Sequence, residues 1–248
     1  GGGSMPRGDY SKKAAASGAG AGSGCTLDDI YDARSVADRL GVPFYVVNVE
    51  EIFSKEVVDY FINSYVAGQT PNPCIKCNQM LKFEALLKKA IGLDADFLAT
   101  GHYARIIPDL TNGFKLLKGI DETKDQSYFL FTMTKAQLGR CLFPVGGLTK
   151  NEVRAYARRL GLKTSDKKES QEICFVQEPN YAQFLSAHVI AQPGEIVDSG
   201  GMALGRHRGL FHYTVGQRKG LGLSGGPYYV IGLDTKANTL MVGREGDL

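Results

Sequence analysis

Two cysteines far apart in the chain carry the residue types most suited to chemistry. Cys77 stands in Thr70-Pro71-Asn72-Pro73-Cys74-Ile75-Lys76-Cys77-Asn78, and Cys174 in Glu169-Ser170-Gln171-Glu172-Ile173-Cys174-Phe175. Each thiol lies at the edge of a polar loop. A thiolate can act as a nucleophile or exchange with another sulfur, and both roles need a lowered thiol pKa. Cys77 directly precedes a helical pattern, where a helix N-terminus and Lys76 would favour its thiolate. The structural alternative is equally plain, because cysteine is a common small core hydrophobe. It applies to Cys174 as well, as a buried strand residue. Cys25 and Cys141 have no polar motif around them and read as structural.

Cys74 and Cys77 form a C-x-x-C pair. A structural zinc needs two more ligands at comparable spacing, and none is present, so no metal is expected. A redox pair stays open. Two further motifs join the set. Gly101-His102-Tyr103 follows an apolar run at what reads as a sheet edge, and Lys124-Asp125-Gln126 sits in a polar loop. The bland readings are a hydrogen-bonded core histidine and a solvated charge cluster. The segment from Ser199 to Leu233 holds Arg206, Arg208, Arg218, Lys219, His207 and His212 without an Asp or Glu. Phe211, Tyr213, Tyr228 and Tyr229 are interleaved, so the pattern predicts phosphate contacts with RNA bases stacking on the aromatics.

Bulk properties bound the rest. The chain has 248 residues, 43% hydrophobic and 22% charged, which suits one large or two modest soluble domains. A net charge of +3 says little about partners. No apolar run reaches the ~20 residues of a membrane span, and no signal peptide is visible. Five cysteines fit a reducing cytoplasm better than a disulfide scaffold.

The elements that must position these groups follow from periodicity. Residues 1–24 are mostly Gly, Ala and Ser and read as a flexible leader, with the fold starting near Cys25. Leu27, Ile30, Ala33, Ala37 and Leu40 predict a helix stopped by Gly41 and Pro43. Phe44 to Val49 reads as a buried parallel strand. A second helix runs from Ile52 to Tyr65 and ends at Gly68. A third follows Cys77, with Leu81, Phe83, Leu87 and Ile91 on its apolar face. Phe97 to Thr100 reads as another buried strand. A hairpin is expected from 103–107 to 114–118, turning at Asn112-Gly113. Thr149 and Glu152 form a capping box opening a helix that Gly161 closes. This alternation predicts an open α/β sheet over residues 25–176. Beyond Gln177 glycines multiply and short strands are expected at 195–198, 202–204, 228–233 and 239–242, giving a small β-rich domain over 177–248.

In order and spacing these motifs resemble the tRNA-specific 2-thiouridylase family (MnmA/TrmU) from Cys25 to Leu248. The carrying segments are 70–78, Ala99-Thr100-Gly101-His102-Tyr103, 121–130, Ser170-Gln171-Glu172-Ile173-Cys174-Phe175, and Tyr213-Thr214-Val215-Gly216-Gln217-Arg218-Lys219-Gly220-Leu221-Gly222. The resemblance implies an adenine-nucleotide α-hydrolase (PP-loop) sheet. It implies that ATP, with Mg2+, adenylates the C2 oxygen of the wobble uridine, and that a persulfide sulfur replaces that oxygen. Cys174 would carry the persulfide and Cys77 would be the partner thiol, leaving a Cys77–Cys174 disulfide for reduction. Asn72, Pro73 and Cys74 would face the target base. Gly101 would contact ATP, and His102, Lys124, Asp125 and Gln126 would contact tRNA. A persulfide donor or sulfur-relay protein would be a further partner, and the location cytoplasmic.

The family's Ser-Gly-Gly-x-Asp-Ser phosphate loop has no counterpart in this sequence. Its first strand, loop, helix and second strand are expected to be replaced by the leader, and its C-terminal barrel to be absent. ATP binding and thiolation by this chain are therefore expected to be weak or lost. Two rivals stay in view. One is a non-catalytic tRNA-binding fragment, and the other is a thiol redox protein built on Cys74 and Cys77.

Overall fold

The structure is a computed structural model that describes residues 27–111, 113–167, 173–176 and 181–248. Residues 1–26, with the expected leader and Cys25, lie outside the described residues.

Helix α1 (Leu27–Leu40) has Asp28 and Asp29 in its first turn and Arg39 in its last, which complements its dipole. Gly41 ends it at φ +66, a left-handed conformation that glycine adopts without strain. The next run departs from expectation. Residues 44–49 form no strand, and Tyr45 is 81% exposed. A strand exists only where a neighbour pairs its N–H and C=O groups, and no described strand runs beside this one.

Helix α2 spans residues 50–66 and helix α3 residues 73–91. Both contain wide π-helical stretches, at Ser54–Val58 in α2 and Cys77–Leu86 in α3. Helix α3 starts earlier than the apolar periodicity implies. Asn72 caps it by accepting from the Ile75 N–H, and Pro73 occupies the first turn.

Strand β1 (Leu98–Ala99) pairs in parallel with β4 (Cys141–Leu142). Phe97 is exposed and Leu98 half-buried, so this strand is less covered than the sequence suggests. Between them β2 (Ala104–Asp109) and β3 (Gly113–Lys118) form the expected hairpin, in register from Ala104↔Lys118 to Asp109↔Gly113. Helix α4 (Lys135–Leu138) and helix α5 (Lys150–Arg159) each open with a complete capping box, from Thr134 with Gln137 and from Thr149 with Glu152. Phe83, Leu87, Ala104, Leu130, Cys141 and Phe143 form the core that joins α3 to these strands.

After helix α6 (Tyr181–Ser186) the chain is β-rich. Strands β5 (Gly194–Val197), β6 (Ala203–His207), β7 (Tyr229–Asp234) and β8 (Thr239–Gly243) make one sheet in the order β6-β5-β8-β7. Pairing is antiparallel except between β5 and β8. Ile196, Val230, Leu240 and Val242 are fully buried beneath it, with Tyr213 and Leu221. A third core spans both parts: Val57, Phe61 and Tyr65 of α2 pack with Phe175, Leu185 and Phe211. Among the described residues no helix is long and apolar enough to cross a membrane.

Candidate active site

Cys77 sits on the second turn of α3, packed against the core that also holds Ile173 and Phe175. Those two residues flank Cys174, so the core that seats Cys77 also anchors both neighbours of Cys174. The two sulfurs lie near enough that negative charge on Cys174 disfavours charge on Cys77. No disulfide links the described cysteines. Cys74, one turn earlier on the same helix, is exposed.

The expectation of a lowered Cys77 pKa is overturned. Burial raises it, Lys82 pulls it down, and Cys174 and Cys74 add to the rise. Cys74 is raised too, because the protein around its sulfur takes water from it although the residue reaches the surface, again opposed by Lys82. Two physical reasons account for the difference. Cys77 is not at the helix N-terminus, which lies a turn upstream at Asn72. Lys76 turns away, its Nζ standing 5.5 Å from the centre of the Tyr60 ring. Lys82, absent from the motif reading, takes its place. Its signal was its spacing, five residues after Cys77, which matters only in a helix closed by i→i+5 bonds. Cys141 is buried, and burial pushes its thiol up to about 11, as befits a structural cysteine.

Gly101 lies beyond β1, and a Cβ there would meet open space. His102 is 6% exposed, with Nδ1 2.7 Å from Thr100 Oγ1 and its ring against Phe83 and Phe143. Its Nε2 lies 3.4 Å from Lys82 Nζ. Burial, then the Lys82 charge, holds its pKa down at about 4. This group is neutral in the fold but protonates near pH 6.5 when unfolded, so its contribution is complete above 6.5 and lost as pH falls toward 4. The chain is expected to lose about 2 kcal/mol of stability between pH 7 and pH 5, and His102→Asn to flatten the slope, read by urea unfolding at those two values.

The Lys124-Asp125-Gln126 loop is built into the fold more firmly than a solvated cluster would be. Asp125 accepts from the Gly119 N–H at 2.8 Å and from the N–H and hydroxyl of Ser127. Burial opposes its charge, but these bonds outweigh burial and hold the carboxyl below its ordinary range. Gln126 exchanges two bonds with the Tyr103 backbone. Lys124 is half-buried, its N–H bonded to the Asp121 carbonyl. Asn78, next to Cys77, donates to the Phe129 carbonyl and ties α3 to the turn after this loop.

In the β-rich part the cations and aromatics separate. Arg206, Arg208, Arg218 and Lys219 are exposed, whereas Phe211 and Tyr213 are core residues. Arg244 covers the Tyr228 ring at 4.4 Å. His207 is buried, accepting from the Gly209 N–H and bonded to the Asn238 carbonyl. Phe211 and Tyr213 are thus spent on packing, Phe211 against α2 and Tyr213 in the core of the sheet. This part also touches the loop before α3, where Thr70 donates to Thr214 at 3.1 Å.

Comparison with known proteins places this geometry. Residues 9–178 match the family description "tRNA methyl transferase HUP domain", and residues 182–244 match "tRNA methyl transferase PRC-barrel domain". The first match begins inside the Gly/Ala/Ser stretch. The chain is 53% identical over 248 residues to the tRNA-specific 2-thiouridylase MnmA of Geobacter metallireducens, covering 99% of this chain and 67% of that one. It is 53% identical to the protein of that name from Geotalea uraniireducens, covering 99% and 66%, and 54% identical over 228 residues to that of Magnetococcus marinus, covering 91% and 64%. The chain spans about two thirds of the length of these relatives. It has the PP-loop type of domain followed by a small β domain, and it belongs to the tRNA-specific 2-thiouridylase family.

Proposed function

We propose that the chain works as a tRNA 2-thiouridylase, moving persulfide sulfur onto C2 of a uridine. The observation that supports this reading most is that Cys77 and both neighbours of Cys174, distant in sequence, share one core. Cys174 carries the terminal sulfur as a persulfide. The Cys77 thiolate attacks the inner sulfur, forming a Cys77–Cys174 bond as the Cys174 S–S bond breaks and the terminal sulfur leaves with the electron pair. That sulfur adds to C2 of the uridine. ATP, when bound, turns the C2 oxygen into a leaving group by adenylation, and the open space at Gly101 suits its close approach. The disulfide left behind is reduced for the next cycle.

Exposed Cys74 is the member of the Asn72-Pro73-Cys74 stretch best disposed to face the base, since Asn72 caps α3 and Pro73 is buried. Lys124, Asp125 and Gln126 meet tRNA as one pre-formed loop. His102 acts from beneath, through Lys82. A target base stacked in an anticodon must turn outward to reach such a pocket.

The test is to supply tRNA, ATP and a 34S-labelled persulfide donor and to digest the RNA. Labelled 2-thiouridine is the expected product. Salt-sensitive tRNA binding with no label in the RNA would favour the second reading, a tRNA-binding fragment held by Arg206, Arg208, Arg218 and Lys219. Disulfide reductase activity that survives Cys174→Ser would support a redox pair of Cys74 and Cys77 instead.

A further inference from the structure

The thiol site contains a cation that the motifs do not mark. Lys82 follows Cys77 by five residues in the π-helical stretch of α3. Where i→i+5 bonds close the helix, residue 82 stands one turn above residue 77 on the same side. In a regular α-helix that position would be rotated away and Leu81 would stand there instead. The wide turn therefore decides which side chain overlooks the sulfur.

Behind Lys82 stands a chain of two polar groups. Its ammonium has donors only, so at 3.4 Å it donates to His102 Nε2. His102 Nε2 is then the acceptor and Nδ1 carries the proton, which it donates to Thr100 Oγ1 at 2.7 Å. The ring is wedged between Phe83 and Phe143 and adds no second positive charge at neutral pH. Thr100 and His102 follow β1, so the parallel pair fixes the support of a lysine on α3. The titratable and charged groups around Cys77 are Lys82 and Cys74 on its own helix and Cys174 from the 173–176 segment.

We propose that Lys82, oriented by His102 and Thr100, is the positioning residue that favours the thiolate of Cys77 and the sulfur anion it displaces. This rests on the thiol-site reading above, but it concerns a step that requires neither RNA nor ATP. Burial alone would leave Cys77 protonated and slow to attack, as the thiolate is the nucleophile. A compact ammonium supplies the compensating charge without blocking the sulfur.

The experiment is peptide-resolved alkylation of the whole chain with iodoacetamide between pH 6 and 10. It compares the parent protein with Lys82→Gln, which keeps a donor for His102 but no charge, Lys82→Met and Lys82→Arg. Cys77 in the Gln variant is expected to react about tenfold more slowly at pH 7.5, its midpoint moving up about one unit, with the Arg variant within about threefold of the parent. Cys141, buried in the core of Phe83 and Phe143, reports folding by staying unreactive. An unmoved Cys77 midpoint with Cys141 protected would overturn the proposal. Exposure of Cys141 in both neutral variants would overturn it in favour of a packing role. Failure to thiolate tRNA would leave this result standing, so the two readings fail separately.

Discussion

Cys77→Ser and Cys174→Ser are each expected to abolish 2-thiouridine formation while leaving tRNA affinity within about threefold, ~0.7 kcal/mol. The loss in rate should reach at least about 10^3-fold, ~4 kcal/mol, since a hydroxyl neither carries a persulfide nor attacks one at neutral pH. The two variants should fail differently. With serine at 174 no sulfane sulfur should accumulate on the protein. With serine at 77 the label should load on Cys174 and stay there. Both are read by intact-protein mass spectrometry beside nucleoside analysis of the RNA. Neither thiol is deeply buried, so the isosteric change should cost about 1 kcal/mol or less in stability. Parallel loss of tRNA binding and stability would mean that the cysteines are packing residues.

Gly146→Ala should be the most damaging single methyl in the described structure. Gly146 is buried, and a Cβ there would overlap the carbonyl of Ala104, itself fully buried at the start of β2. The obstacle is backbone, so no rotamer change relieves it. The Gly146 carbonyl also accepts from the Ile120 N–H, which holds the hairpin's exit. Moving either segment would disturb Leu130, Cys141 and Phe143 below and shift Tyr103, to which Gln126 is bonded. A loss of about 3–5 kcal/mol is expected, measured by urea unfolding at pH 7.5. Gly147→Ala serves as the control, because its Cβ would meet open space. Equal, small losses in the two would refute the argument.

Local rules made much of the frame legible. The Thr149-Glu152 capping box, Gly41 and Gly161 as helix stops, and the hairpin of residues 104–118 all depend on neighbours within a few residues, and the helices and paired strands form as read, the expected turn residue Asn112 lying outside the described residues. The strands of the β-rich part follow for the same reason. What escaped depends on partners distant in the chain or on a change of helical pitch. Phe44 to Val49 has strand residues but no partner strand among the described ones. The start of α3 was legible in Asn72-Pro73, a cap followed by a first-turn proline, yet the apolar periodicity pulled the boundary downstream to Cys77. Lys82 was hidden because α-helical spacing assigns the place above Cys77 to another residue. Phe211 and Tyr213 looked like a surface for bases because their interleaving with cations does not say which rings a distant segment covers, here α2 for Phe211 and the sheet for Tyr213.

The core shared by α2, Phe175, Leu185 and Phe211 has a mechanical consequence. It lies along the seam between the helical lobe and the β-rich lobe, and the neighbours of Cys174 are anchored in it. Leu185 and Phe211 come from the β-rich part while Cys77, Ile173 and Phe175 do not, so drawing the two parts away from each other would strip cover from the core that seats both sulfurs.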